Sequence, residues 1–192
     1  MNYSRASFSR VLILAAAVIA NALPVQGFEV VSPDGGFSYQ LPKGWKIKNA
    51  SGAKYKVAVD PHEKAKIVVN TTLAIYVLDN PDRNFLPIAV ERFRYQTLKR
   101  AAKRDPDFKV INNSKFTTNS NQEGLLTLVR VKRNDVLFHD SLYFFQHYAM
   151  IVWVVCSGPG DGSMDNELEA IMKTFKSVDI EPIDEANSPL AK

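Results

Sequence analysis

Residues 148–178 read YAMIVWVVCSGPGDGSMDNELEAIMKTFKSV. The opening ten, Tyr148 to Ser157, are an almost unbroken apolar run rich in valine. A strand with no polar alternation needs cover on both faces, which places it in the middle of a sheet. Glycines at 158, 160 and 162 then break the run. After them Leu168, Ile171, Met172 and Phe175 recur at i, i+3, i+4 and i+7, which predicts a helix over about 164–177 with one apolar stripe. A doubly covered strand followed by a one-sided helix requires a layered fold. The same stretch holds the chain's single cysteine, Cys156, beside a glycine loop and a helix start, so it is also the first place to look for chemistry.

The chain upstream supports the layered reading. In FSYQLPKGWKI, Phe37, Tyr39 and Leu41 alternate with polar residues as a half-buried strand does, between turns at Pro33-Asp34-Gly35-Gly36 and Pro42-Lys43-Gly44. KYKVAVD alternates again at Tyr55, Val57 and Val59, and KIVVNTTLAIYVL is β-branched and long enough to cross a sheet. Pro81 and Pro87 mark a change of period. From 86 to 104, Leu86, Val90, Phe93, Thr97 and Ala101 fall on one helical stripe, and Asp105-Pro106 ends it. FKVINNSKFTT, EGLLTLVRVKR and NDVLFHDSLYFFQH read as further strands before the apolar run. Short turns between consecutive strands imply antiparallel pairing. The expected class is therefore α/β (α+β): an α/β/α sandwich with a mainly antiparallel central sheet flanked by two main helices, one on each face.

Residues 1–27 differ from the rest. Arg5 and Arg10 precede VLILAAAVIA, ten apolar residues, and small residues follow, as in a secretory signal peptide. The run is short for a membrane span, which takes about 20 residues. Ala20-Asn21-Ala22 and Val25-Gln26-Gly27 are two places for a cut, and an uncleaved anchor is the alternative. The expected division is 1–27 signal peptide, 28–180 folded domain and 181–192 a frayed tail with little to bury. An exported, periplasmic or extracellular protein with no transmembrane span after cleavage follows. Two of the 24 basic residues lie in the leader, which leaves 22 against 20 acids. So small an excess makes no general case for nucleic acid. One thiol allows no internal disulfide, so packing alone holds the domain.

FSYQLPKGWKI, an alternating aromatic strand followed by Pro-x-Gly-Trp, resembles the start of the PsbP-like (Mog/PsbP-fold) families. The closing strand, loop and helix quoted above resemble the end of the same families, and the similarity spans roughly residues 28–178. The resemblance implies an α/β/α sandwich and a bacterial exported member. It also implies an accessory or binding role rather than catalysis: relatives include the extrinsic PsbP subunit of photosystem II and a nuclear Ran-binding protein. It carries no ligand motif onto particular residues here.

Each candidate for chemistry has a plainer reading. No lysine follows Gly158, Gly160 and Gly162, so they form no phosphate loop, and Asp161, Asp165 and Glu167 would cap the helix and repel phosphate. Cys156 sits in the alternation Val152, Val154, Cys156, where a thiol is usually a small buried hydrophobe; neither His139 nor His147 is placed beside it by sequence. Asp60, His62 and Glu63 share one turn, which could hold a surface metal but reads better as a polar turn. His139 beside Asp140 marks the edge of a hairpin. No cofactor and no metal are expected.

The strongest charge feature is the 86–104 helix, with Arg92, Arg94, Lys99, Arg100, Lys103 and Arg104 against one acid, Glu91. Arg92, Lys99 and Lys103 fall within roughly 40° of one another. Its plain reading is a solvated face with bases near the helix C-terminus; its functional reading is a dock for an acidic envelope protein or an anionic surface. The expected function is an exported, non-catalytic accessory or binding protein contacting through Arg92, Lys99, Lys103, Arg100 and Arg104. The alternatives are a periplasmic carrier with a ligand between sheet and helix, and an envelope enzyme using Cys156. The oligomeric state leaves no mark on the sequence.

Overall fold

The computed structural model describes residues 27–32, 36–48, 57–73, 86–147 and 150–178. The leader apart from Gly27, Tyr55, Pro81 and the 181–192 tail lie outside them, so the expectations placed there concern the sequence alone. The described strands are β1 (Phe28–Ser32), β2 (Phe37–Leu41), β3 (Lys46–Lys48), β4 (Val57–Val59), β5 (Lys66–Leu73), β6 (Lys109–Thr117), β7 (Glu123–Arg133), β8 (Val136–His147), β9 (Met150–Pro159) and β10 (Lys176–Ser177). The described helices are α1 (Leu86–Arg104) and α2 (Asp165–Lys173).

Seven strands form one antiparallel sheet in the order β3-β4-β5-β9-β8-β7-β6, with the apolar run β9 fourth of seven. Its side chains divide by parity. Ile151, Trp153 and Val155 enter one core with Leu142 and Phe144 of β8, Val129 and Val131 of β7, and Val90, Phe93 and Leu98 of α1. Val152, Val154 and Cys156 enter the other with Ile67, Val69, Tyr143 and Phe145 of the sheet and Leu168, Ile171 and Met172 of α2. The two helices therefore lie on opposite faces. Phe93 meets Phe144 and Trp153 edge-on at 6.2 and 6.1 Å, a favoured aromatic geometry.

A second sheet, absent from the sequence reading, shares the α2 side. It has the order β1-β2-β10, and Phe37, Tyr39 and Leu41 of β2 point into the α2 core. Its existence corrects the expected length of the last helix. Helix α2 stops at Lys173, where the Thr174 hydroxyl donates to Ile171 O at 2.7 Å and accepts from Gln40 N–H at 2.8 Å. Lys176 and Ser177 then pair with Ser38 and Phe37 of β2. Gln122 clamps this short strand: its Nε2 donates to Ser177 Oγ at 2.7 Å and its Oε1 accepts from Ser177 N–H at 3.0 Å. Phe175 keeps its core place without being helical, stacked on Phe145 at 4.7 Å and on Phe37 at 5.8 Å. A strand partner already in position outweighs the helical propensity of two further residues.

The Pro42-Lys43-Gly44-Trp45 segment has a structural job. Trp45 N–H closes the turn onto Pro42 O at 3.3 Å, the ring is buried, and the indole N–H donates to Glu167 Oε1 at 2.9 Å. One side chain thus joins the turn after β2 to the first turn of α2. The β7–β8 hairpin turns on Asn134 and Asp135, both with positive φ (49° and 64°), the two-residue turn that matches strand twist.

Phe175 makes the sharpest test of this core, because it packs against both sheets. Phe175→Ala is expected to lower unfolding stability by about 4 kcal/mol and Phe175→Leu by about 1 kcal/mol, read from urea unfolding curves. Equal small losses would mean that β10 and the preceding ring are not seated as described.

Candidate functional site

The glycine loop is shaped by packing. A Cβ on Gly160 would stand 2.7 Å from Leu137 O, so β8 leaves no room for a side chain there. Gly162 has φ +74°, and a Cβ there would meet Asp165 Oδ2 at 2.9 Å and His139 Nδ1 at 3.3 Å. The loop is also negative. Asp161 accepts the Ser163 N–H at 2.9 Å, which lowers its pKa and keeps it ionised. The expectation of acidic caps needs correcting in detail. The N-cap is Met164, with no side-chain hydrogen bond, and Asp165 and Glu167 are engaged elsewhere, with His139 and Trp45.

His139 is not at a hairpin edge. It lies inside β8, paired with Arg130 and Gly158, and its Nδ1 stands 3.0 Å from Asp165 Oδ2. It therefore ties β8 to the start of α2. Its neighbour Asp140 faces the other core, almost fully buried, where it forms an ion pair with Arg133 and accepts from Ser157 Oγ at 2.7 Å. Arg133 Nη1 also donates to Ser157 Oγ at 2.9 Å, and the guanidinium lies 5.2 Å from the Phe138 ring centre. Sequence reading missed this three-residue network, because Arg133, Asp140 and Ser157 come from three strands and meet only through register. Each polar group in it is satisfied by the others, as a buried carboxylate requires.

Cys156 is fully buried, opposite Ser141 in the β8–β9 register. Burial pushes its thiol far above the ordinary cysteine range, and the charge of Asp140 adds to the effect. Without thiolate or solvent access it has no means of attacking a substrate. The imidazole of His139 is committed to Asp165 instead. In the 60–65 turn Asp60 accepts the backbone N–H groups of His62 (3.0 Å) and Ala65 (2.7 Å), while Glu63 pairs with Lys48. Asp60 and Glu63 are thus turned to different partners.

Helix α1 keeps its basic residues together with one exception. Arg92, Lys99, Arg100, Lys103 and Arg104 are exposed. Arg94 turns back to the sheet edge, pairing with Glu91 at 2.7 Å and donating to Asn113 Oδ1 at 3.1 Å. The sequence reading overlooked two apolar side chains on the same outward stripe, Ile88 and Tyr95, exposed at 62% and 64%. Helical angles reveal them: at 100° per residue they fall within about 60° of Arg92, on the side opposite the core. Lys99 Nζ lies 5.8 Å from the Tyr95 ring centre. Among the described residues no helix is long and apolar enough to cross a membrane.

Thiol labelling checks the chemistry side of this site. A small disulfide reagent at pH 8 should react with Cys156 at least about 100-fold more slowly in the native protein than in denaturant. Fast native labelling would return the thiol to consideration as a nucleophile.

No protein-family model matches the chain, and no curated protein matches it in sequence. Solved structures do match. The cyanobacterial PsbP (CyanoP) of Synechocystis is similar with a TM-score of 0.58 at 14% identity, over 81% of this chain and 95% of that one. LpqN of Mycobacterium tuberculosis, described as involved in cell envelope biogenesis, gives a TM-score of 0.47 at 16% identity, over 80% of this chain and 86% of that one. The likeness to the cyanobacterial protein lies in overall arrangement rather than in sequence: the chain has a PsbP-like fold.

Proposed function

We propose that this chain is an exported accessory or binding protein, without catalysis of its own, that contacts an acidic envelope partner through the outward face of α1. The observation that carries the reading is the separation of charge across the sandwich. Helix α1 has six basic residues and one acid; residues 161–173, on the opposite face, have four acids and one base. The whole chain carries a formal charge of +4, and these two segments place opposite charge on opposite faces of the sandwich. Such a field orients a protein towards an anionic partner before contact. The leader-like residues 1–27 support export, and the burial of Cys156 removes the best candidate nucleophile.

The test is capture. Changing Arg92, Lys99 and Lys103 together to Glu should abolish recovery of partners by crosslinking in the envelope, while circular dichroism and the unfolding midpoint stay within error of wild type. Undiminished recovery would remove α1 as the contact surface.

One observation favours a carrier as the second reading. A cavity of about 450 Å³ opens between α1 and the sheet, with Val90, Phe116, Leu125 and Phe144 as its apolar lining and Glu91 and Lys115 among its polar groups. That volume suits a small amphiphilic ligand. Native mass spectrometry should then show a co-purified mass that is lost in Leu125→Trp; a clean apoprotein mass after gentle isolation would count against it.

A further inference from the structure

The outward stripe of α1 runs Ile88, Arg92, Tyr95, Lys99, Lys103, so apolar and basic side chains alternate along about 22 Å of helix. Ile88 and Tyr95 stand out at 62% and 64% exposure and share their side of the helix with cations. Among the described residues no carboxylate pairs with Lys99, Arg100, Lys103 or Arg104. This combination matches the boundary between lipid headgroups and acyl chains. There tyrosine and isoleucine enter the upper hydrocarbon while lysine and arginine reach back to phosphates. The acids at Asp161, Asp165, Glu167 and Glu169 are on the far face, so an anionic plane attracts one side of the molecule and repels the other.

Building on the contact surface proposed above, we infer that the partner of α1 is an anionic phospholipid bilayer. The helix lies flat on it, Ile88 and Tyr95 inserted shallowly and Arg92, Lys99 and Lys103 on the headgroups. The domain then sits in one orientation, with the α2 face and its acids towards the aqueous side. Each cation contributes on the order of a fivefold gain in partition near an anionic surface.

Vesicle co-sedimentation of the full chain tests this, with pure phosphatidylcholine against phosphatidylcholine containing 30% phosphatidylglycerol (on the order of a natural anionic fraction). Any binding through the apolar leader is common to both vesicles, so the reading is the gain on adding phosphatidylglycerol. A gain of at least about tenfold is expected, falling steeply between 50 and 300 mM salt. R92E/K99E/K103E should erase the gain. I88S/Y95S, which keeps every charge, should lower partition into the phosphatidylglycerol vesicles themselves by about fivefold or more. Equal partition into both vesicles overturns the inference, and so does undiminished partition of the I88S/Y95S protein into the phosphatidylglycerol vesicles, which would mark a purely electrostatic contact. If vesicles fail while the triple-Glu protein still loses crosslinked envelope proteins, the contact surface stands and its partner is an acidic protein. If the triple-Glu change alters neither, both readings fall. A concentration-dependent dimer lost in the triple-Glu protein would point to α1 packing on the acidic face of a second copy, and would also overturn the bilayer.

Discussion

Strand β9 has no side that faces water, and the rest of the molecule follows from that constraint. Its odd residues Ile151, Trp153 and Val155 need one apolar layer, and its even residues Val152, Val154 and Cys156 need another. A single helix can cover only one face of a sheet, so the chain must supply two separate covers. One is α1 alone. The other is shared by α2 and the small sheet, because α2 has only nine residues and cannot roof the larger core. Phe37, Tyr39 and Leu41 of β2 complete that cover. The brevity of α2 and the presence of β10 are two consequences of the same packing demand.

The polar groups near the ends of the sheet act as ties between these layers. Trp45 links the β2 turn to α2 through Glu167, His139 links β8 to Asp165, and Arg94 links α1 to Asn113, which also accepts from Thr127 Oγ1 at 2.7 Å. Inside, Arg133, Asp140 and Ser157 satisfy one another across three strands. Two of these ties use pairs that enzymes also use, His with Asp and Ser with Asp, and the lone Cys156 is buried beside them. Their engagement with structural partners, and the upward pKa displacement of Cys156, set them apart from the exposed and poised groups that nucleophilic catalysis needs.

Most of the large sheet was legible in the sequence because its signals are local. The β9 run, the 86–104 stripe and the strand boundaries of EGLLTLVRVKR each depend on periodicity within one segment. What stayed hidden depends on distant partners. Lys176 and Ser177 look helical until β2 is beside them, and Asn134-Asp135 looks like the start of a strand until β7 and β8 fix a two-residue turn. Asp140 looks like the polar flank of His139, but register carries the two to opposite faces. At the candidate site the cations were visible from composition, whereas Ile88 and Tyr95 drew no notice. A helix wheel shows their direction, but only the packed structure shows how exposed they are.

The same division of labour explains where selectivity can reside. Among the described residues both cores are built from large apolar side chains, and His139, Asp140 and Ser157 help to tie strands and layers together. The outer faces are under no such packing demand, and on them the sequence is strongly biased: basic on α1, acidic around the start of α2. Folding alone would tolerate any mixture of exposed charge on these faces, since single surface ion pairs are worth little to stability. The cations and two apolar side chains that α1 places outward are not required by the core beneath them, which leaves that face open to the contact proposed above. On the reading proposed above, recognition is a matter of orientation: the sheet fixes which face is which, and the opposite charge of the two helices would favour one face at first contact.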